Sequence, residues 1–156
     1  DIAEYIGEIL SDQGAQVEIR LMHYVKDLTL YDAVVCGSAI QSAGWLPEAI
    51  QFLETHNSSL NLKPVAIFSV CMTLAMKNGE KYKQSISNWI DPIRKLVNPA
   101  SEEIFAGTLK INQIPSFIQR LKFRISIALG VWKEGDHRNW EAIKAWATSL
   151  KSVFQL

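Results

Sequence analysis

The sequence has only two cysteines, Cys36 and Cys71, among its 156 residues. They form no close pair, which excludes a disulfide framework and Cys-based metal spacing. They read instead as reduced, buried thiols at strand ends in a cytosolic protein. No apolar run approaches the roughly 20 residues a membrane-spanning helix needs, and no secretory signal is visible at the start. No charge is in excess, because 16 Lys and Arg balance 16 Asp and Glu. Nothing global therefore recruits nucleic acid or an acidic partner. The eight glycines make neither a P-loop nor a dinucleotide fingerprint. His23, His56 and His137 fall in different elements. No nucleophile or carboxylate stands at a recognisable spacing to any of them, which argues against a metal or a catalytic triad.

What is present is an alternation of short apolar runs with helical stripes, in a chain long enough for one domain with a full core. Ile2, Ala3, Ile6, Ile9 and Leu10 share a helical face that ends at Gly14, with no capping residue ahead of it. Gln16–Met22 reads as a strand, and Ala33–Gly37 as a second one, buried on both faces. A small-residue loop follows Gly37-Ser38. A helix then starts near Trp45, with Pro47 in its first turn and His56 at its end.

Pro64 opens a further buried strand, Val65–Val70. Beyond it lie a long loop or broken helix over Cys71–Lys83 and a helix over Gln84–Val97, with a break expected at Asp91-Pro92. Glu102–Leu109 reads as a strand. Pro115–Trp132 carries a helical stripe through Phe117, Leu121, Ile125, Ala128 and Trp132. Asp136 and Arg138 read as a turn, and Asn139 as the N-cap of a last helix lined by Trp140, Ile143, Trp146, Ala147, Leu150 and Val153. Strand–helix alternation predicts an α/β protein with a parallel sheet covered on both faces. The first helix lacks the strand that a right-handed crossover requires, so a strand and its loop are expected ahead of Asp1.

Four stretches carry a family resemblance. They are Asp32-Ala-Val-Val-Cys-Gly-Ser-Ala-Ile40; Gly44-Trp-Leu-Pro-Glu-Ala49 with Phe52, Leu53 and His56; Ala66-Ile-Phe-Ser-Val70; and Ala106-Gly-Thr-Leu-Lys110 with Asp136 to Ala147. In that order they resemble the flavodoxin-domain family, and within it the menaquinone-dependent protoporphyrinogen oxidase (dehydrogenase) branch of heme biosynthesis. The resemblance implies a single flavodoxin-like three-layer α/β/α domain over residues 1–156. Its parallel sheet would run in the order 2-1-3-4-5, with the first strand and the phosphate loop missing from the chain. A helical insertion over about residues 110–133 is similar to that of the oxidase branch.

The implied cofactor is FMN, and the implied site is a flat, mostly apolar slot for its ring. One wall would be Ser38, Ala39, Ile40, Gln41, Ser42, Gly44 and Trp45, whose small residues let backbone approach the ring while Trp45 flanks it. The other would be Ser69, Val70, Cys71, Met72 and Thr73, in a connection long enough to suggest function. No residue is assigned to catalysis.

In the insertion, Lys110, Arg120, Lys122, Arg124 and Lys133 interleave with Phe117, Leu121, Phe123, Ile125 and Ile127. That is the pattern of a basic amphipathic helix able to lie on an anionic membrane, or of a solvated basic face over a packed stripe. The expectation is thus a cytoplasmic FMN oxidoreductase, peripheral at the inner face of the membrane, that passes electrons from a porphyrinogen-like substrate to a quinone. An electron-carrier flavodoxin and a flavin-free binding module of the same fold stand as alternatives.

Overall fold

The computed structural model describes residues 1–155. Three parallel strands carry the fold: β1 (Val34–Gln41), β3 (Val65–Val70) and β4 (Ser101–Phe105). They lie side by side in that order, and β2 (Gly44–Trp45) folds back antiparallel on the end of β1. Every residue of β3 from Val65 to Ser69 is buried, which is why its sequence is an unbroken apolar run rather than an alternation.

Successive side chains of β3 serve two cores. Val65 and Ile67 join Cys36, Leu53, Ile86, Ile90 and Ile93 on one face, beneath α2 (Pro47–Thr55) and α4 (Lys83–Val97). Ala66 and Phe68 join Ile6, Phe105, Ile143, Trp146 and Leu150 on the other, beneath α1 (Ile2–Asp12) and α6 (Trp140–Phe154). The result is the expected three-layer arrangement. Gly37 and Phe68 are register partners. A Cβ on Gly37 would fall 2.0 Å from the Phe68 ring, so only glycine leaves room for that aromatic core.

Several expectations change. Residues 16–21 form neither helix nor strand and pair with no strand among the described residues, and the Glu18 carboxylate instead accepts a hydrogen bond from the Tyr31 hydroxyl. A strand exists only where a neighbour completes its ladder. Of the order 2-1-3-4-5, the described residues supply the last three strands as β1, β3 and β4. The first helix, expected to have no capping residue ahead of it, has one: Asp1 is the N-cap of α1 and closes a capping box with Glu4.

The small-residue loop after Gly37-Ser38 is strand as far as Gln41, because β2 pairs with it. The helix expected near Trp45 begins at Pro47, and Thr55 is followed by a separate turn, α3 (Asn57–Leu60). The long connection after Val70 resolves into two short 3₁₀ turns, Met72–Ala75 and Gly79–Tyr82.

Pro92 does not break α4. Arg94 donates to the Ser87 carbonyl at 2.8 Å and to Glu102 at 2.6 and 2.7 Å, splinting the turn that the proline weakens. The predicted strand 102–109 splits. It leaves the sheet after Phe105, and β5 (Thr108–Leu109) pairs antiparallel with β6 (Gly135–Asp136) instead. The helix expected through Trp132 is α5 (Phe117–Ala128), capped by Ser116 and closed by Gly130 at φ +70°. Its stripe does not reach the core, since no residue of α5 is buried.

Candidate functional site

The carboxyl ends of the three parallel strands define the site. Ser38 is the register partner of Ser69, and Ala39 of Val70. The two predicted walls are therefore adjacent strand ends of one sheet edge. Val70 in turn pairs with Phe105, and the Cys71 N–H donates to the Phe105 carbonyl at 2.8 Å.

The first wall is a tight hairpin. Ser42 and Ala43 form its turn with φ of +51° and +62°, the geometry that joins two-residue hairpins but strains residues bearing a Cβ. Ala39, Gln41, Ser42 and Ala43 are exposed and Ile40 and Gly44 half-buried. Ser38 is buried, and its hydroxyl donates to the Ala39 carbonyl at 3.0 Å and accepts from the Leu46 N–H at 3.1 Å.

Trp45 is 3 % exposed and belongs to the core, not to the loop surface. Its indole N–H donates to the Ser69 hydroxyl at 2.8 Å, and Ser69 is itself 1 % exposed. This bond clamps the hairpin onto β3. Trp45 thus contributes to the site by fixing its floor.

The second wall continues from Val70 through buried Cys71 to half-buried Met72 and Thr73 in the first 3₁₀ turn. The Lys77 N–H reaches the Val131 carbonyl at 3.4 Å, linking this wall to the segment after α5. Sequence reasoning missed a third wall, Ala106-Gly107. A Cβ on Gly107 would stand 2.9 Å from Val70 Cγ1 and 3.2 Å from Met72 Sδ, and the Gly107 carbonyl accepts from the His137 N–H at 3.1 Å. Its signal was present: the small pair Ala106-Gly107 just beyond the end of β4 at Phe105.

The edge is electrically quiet. Residues 38–45, 69–76 and 105–109 contain no charged side chain. The nearby Asp136 and Arg138 neutralise one another at 2.6 and 2.8 Å. Hydrogen bonds from Arg138, its side chain foremost, and from the Thr108 hydroxyl hold the Asp136 carboxyl far below the usual carboxylate range. The Arg138 guanidinium also lies 4.4 Å over the Trp140 ring, ordering the entry to α6. Burial pushes the Cys36 thiol up to about 12, so Cys36 is a core residue rather than a nucleophile. Among the described residues, no group of three His, Cys, Asp or Glu stands together as a metal would need.

Two surface hollows lie elsewhere. One of about 400 Å³ is lined by Asp1, Glu4, Tyr5, Glu8 and Trp140, and one of about 130 Å³ by Phe117, Arg120, Leu121 and Arg124. The first is shallow and carries the carboxylates of Asp1, Glu4 and Glu8, with no Lys or Arg in its lining to receive an anion.

A flavin ring is flat, largely apolar and satisfied by a few backbone groups, and the three neutral, small-residue strand ends suit it. The same residues offer no cation for a phosphate group. The strand ends are therefore compatible with a flat, largely apolar ring and supply no partner for a phosphate group.

The family model described as a flavodoxin domain matches residues 1–134. No curated protein matches the chain. Among solved structures, the rubredoxin oxygen:oxidoreductase (ROO) from the anaerobe Desulfovibrio gigas is similar at 14 % identity, with a TM-score of 0.42. The match covers 92 % of this chain but only 32 % of that one, so the chain spans about a third of that protein's length, and the likeness is too loose to argue from.

Proposed function

The chain belongs to the flavodoxin domain family, and we propose that its three neutral strand ends hold the ring of FMN in an oxidoreductase. One observation carries this reading. Ser38–Ser42, Ser69–Thr73 and Ala106-Gly107 converge on one edge of a rigid sheet, with no charge among them. Ligands of open α/β sheets bind outside the carboxyl ends of the strands.

When bound, FMN supplies the one- and two-electron chemistry. The chain's part is placement. Ala39, Gln41 and Ser42 offer backbone groups to the ring edge. Met72 and Val70 offer apolar contact, and Gly107 lets both side chains pack directly against its backbone. The Trp45–Ser69 bond keeps the hairpin from shifting.

The specific activity we propose is oxidation of a porphyrinogen-like substrate with electrons passed to a quinone. The likeness of the 110–133 insertion to the oxidase branch supports it. An electron carrier would bind the same flavin without turnover, and a binding module would bind none.

Visible absorption decides first. The purified protein should be yellow or turn yellow with added FMN, and Gly107→Leu should weaken uptake by at least about tenfold by displacing Val70 and Met72. A colourless protein that refuses FMN would remove both flavin readings. Turnover of a porphyrinogen with a quinone analogue, followed by porphyrin fluorescence under anaerobic conditions, then separates the oxidase from the carrier.

A further inference from the structure

Helix α5 has a face with no use inside the molecule. Phe117, Ile118, Leu121 and Ile125 are 69, 65, 49 and 53 % exposed, and Leu129 just beyond the helix is 74 % exposed. At about 100° per residue these five side chains share one arc of about 120°. Arg120 and Arg124 border the arc on one side and Lys122 on the other. The opposite side rests on the protein only lightly, through half-buried Phe123, Ser126 and Ile127. Phe123 stacks edge-on against Trp132 at 5.9 Å.

Charge says what covers this face. Residues 110–133 contain five Lys and Arg and no Asp or Glu, whereas the remaining 132 residues carry eleven Lys and Arg against sixteen Asp and Glu. The net neutrality of the chain conceals a basic segment on an acidic body. Among the described residues, none of Lys110, Arg120, Lys122, Arg124 and Lys133 forms an ion pair. Arg120 Nε has no hydrogen-bond partner. Its guanidinium lies 5.9 Å from the Phe117 ring centre, beside the 130 Å³ cleft shared with Leu121 and Arg124.

We infer that α5 docks the protein on an anionic phospholipid surface, lying flat with Phe117, Ile118, Leu121, Ile125 and Leu129 among the acyl chains. Cations on both borders of the apolar arc would then meet lipid phosphates, the geometry of an interfacial helix. Among the described residues, no helix is long and apolar enough to cross a membrane. The twelve residues of α5 span about 18 Å, short of the hydrocarbon thickness. This inference does not depend on flavin binding.

Neither core contains a residue between 110 and 134, so the face can be altered without unfolding the domain. Vesicle flotation tests it. The protein should float with phosphatidylcholine vesicles containing about 30 % phosphatidylglycerol and not with pure phosphatidylcholine, and added salt should weaken the binding. Arg120→Gln with Arg124→Gln should lower affinity about 25-fold, near fivefold per cation. Leu121→Glu with Ile125→Glu should abolish binding, with thermal melting unchanged in both variants. Absence of binding to anionic vesicles, or equal binding to neutral ones, would overturn the inference. So would a dimer in sedimentation equilibrium that the Leu121→Glu, Ile125→Glu variant dissolves, since the acidic body of a second copy would then be the true partner.

Discussion

Helices α5 and α6 begin alike and end differently. Each has a polar N-cap, Ser116 and Asn139, whose side chain accepts a backbone N–H in the first turn. Each carries an apolar stripe at helical spacing. In α6 the stripe Ile143, Trp146, Ala147 and Leu150 is buried against Phe68 and Phe105, with the Trp146 ring 6.1 and 5.8 Å from those two. In α5 the stripe Phe117, Leu121 and Ile125 meets no core. A periodic stripe therefore establishes that a helix has an apolar face, not that the same molecule covers it. α6 is framework, and α5 is a surface presented by it.

The largest expected effect separates the two directly. Leu150→Ala should cost about 2–5 kcal/mol in urea unfolding, because it empties a fully buried site, while Leu121→Ala should change stability by less than about 0.5 kcal/mol. Equal losses would mean that α5 packs as α6 does. Next comes the clamp that joins hairpin to framework. Trp45→Phe leaves the buried Ser69 hydroxyl without its donor and should cost about 1–3 kcal/mol. In a double-mutant cycle, adding Ser69→Ala should recover part of that loss.

A smaller effect of opposite sign is expected at the turn above the clamp. Ala43→Gly should stabilise the protein by about 1 kcal/mol, because φ of +62° is unstrained only for glycine. Loss of stability in this variant would show that the turn is not left-handed. The smallest effect lies where the framework meets the insertion, at Asp136. Its carboxyl is held below its ordinary value, so its contribution is fully present above the unfolded carboxylate pKa of about 3.9 and fades as pH falls toward the lower folded value. The side chain is 44 % exposed, which limits the contribution to less than about 1 kcal/mol. Asp136→Asn should therefore be slightly less stable than the parent at pH 7, with the gap closing as the solution is acidified below about pH 4.

Much of the framework was legible before any coordinates. Val65–Val70 was read residue for residue, because a proline bounds it and burial on both faces demands an unbroken apolar run. Asn139 was legible as a cap because capping is short-range chemistry, whereas Asp136, expected in a turn, lies in β6 because Thr108 pairs with it. The failures share another cause. Residues 16–22 have strand-like composition but no ladder partner among the described residues. Gln41 extends β1 only because the Ser42-Ala43 turn, without the usual Asn or Gly, returns β2 alongside it. Pro92 stays helical because Arg94 reaches Ser87, Asp91 and Glu102. The candidate site was legible as two separate stretches, and Gly107 was missed because what matters there is its distance from Val70 and Met72.

The sequence by itself determined the periodicities, the caps, the neutrality of the strand ends and the basic character of residues 110–133, since each depends on near neighbours along the chain. Only the tertiary structure decided that Trp45 is buried beneath the candidate site, that Gly107 stands beside Val70 and Met72, and that the α5 stripe faces outward. Those outcomes depend on which distant surfaces come together, and burial against a distant partner leaves no local signal.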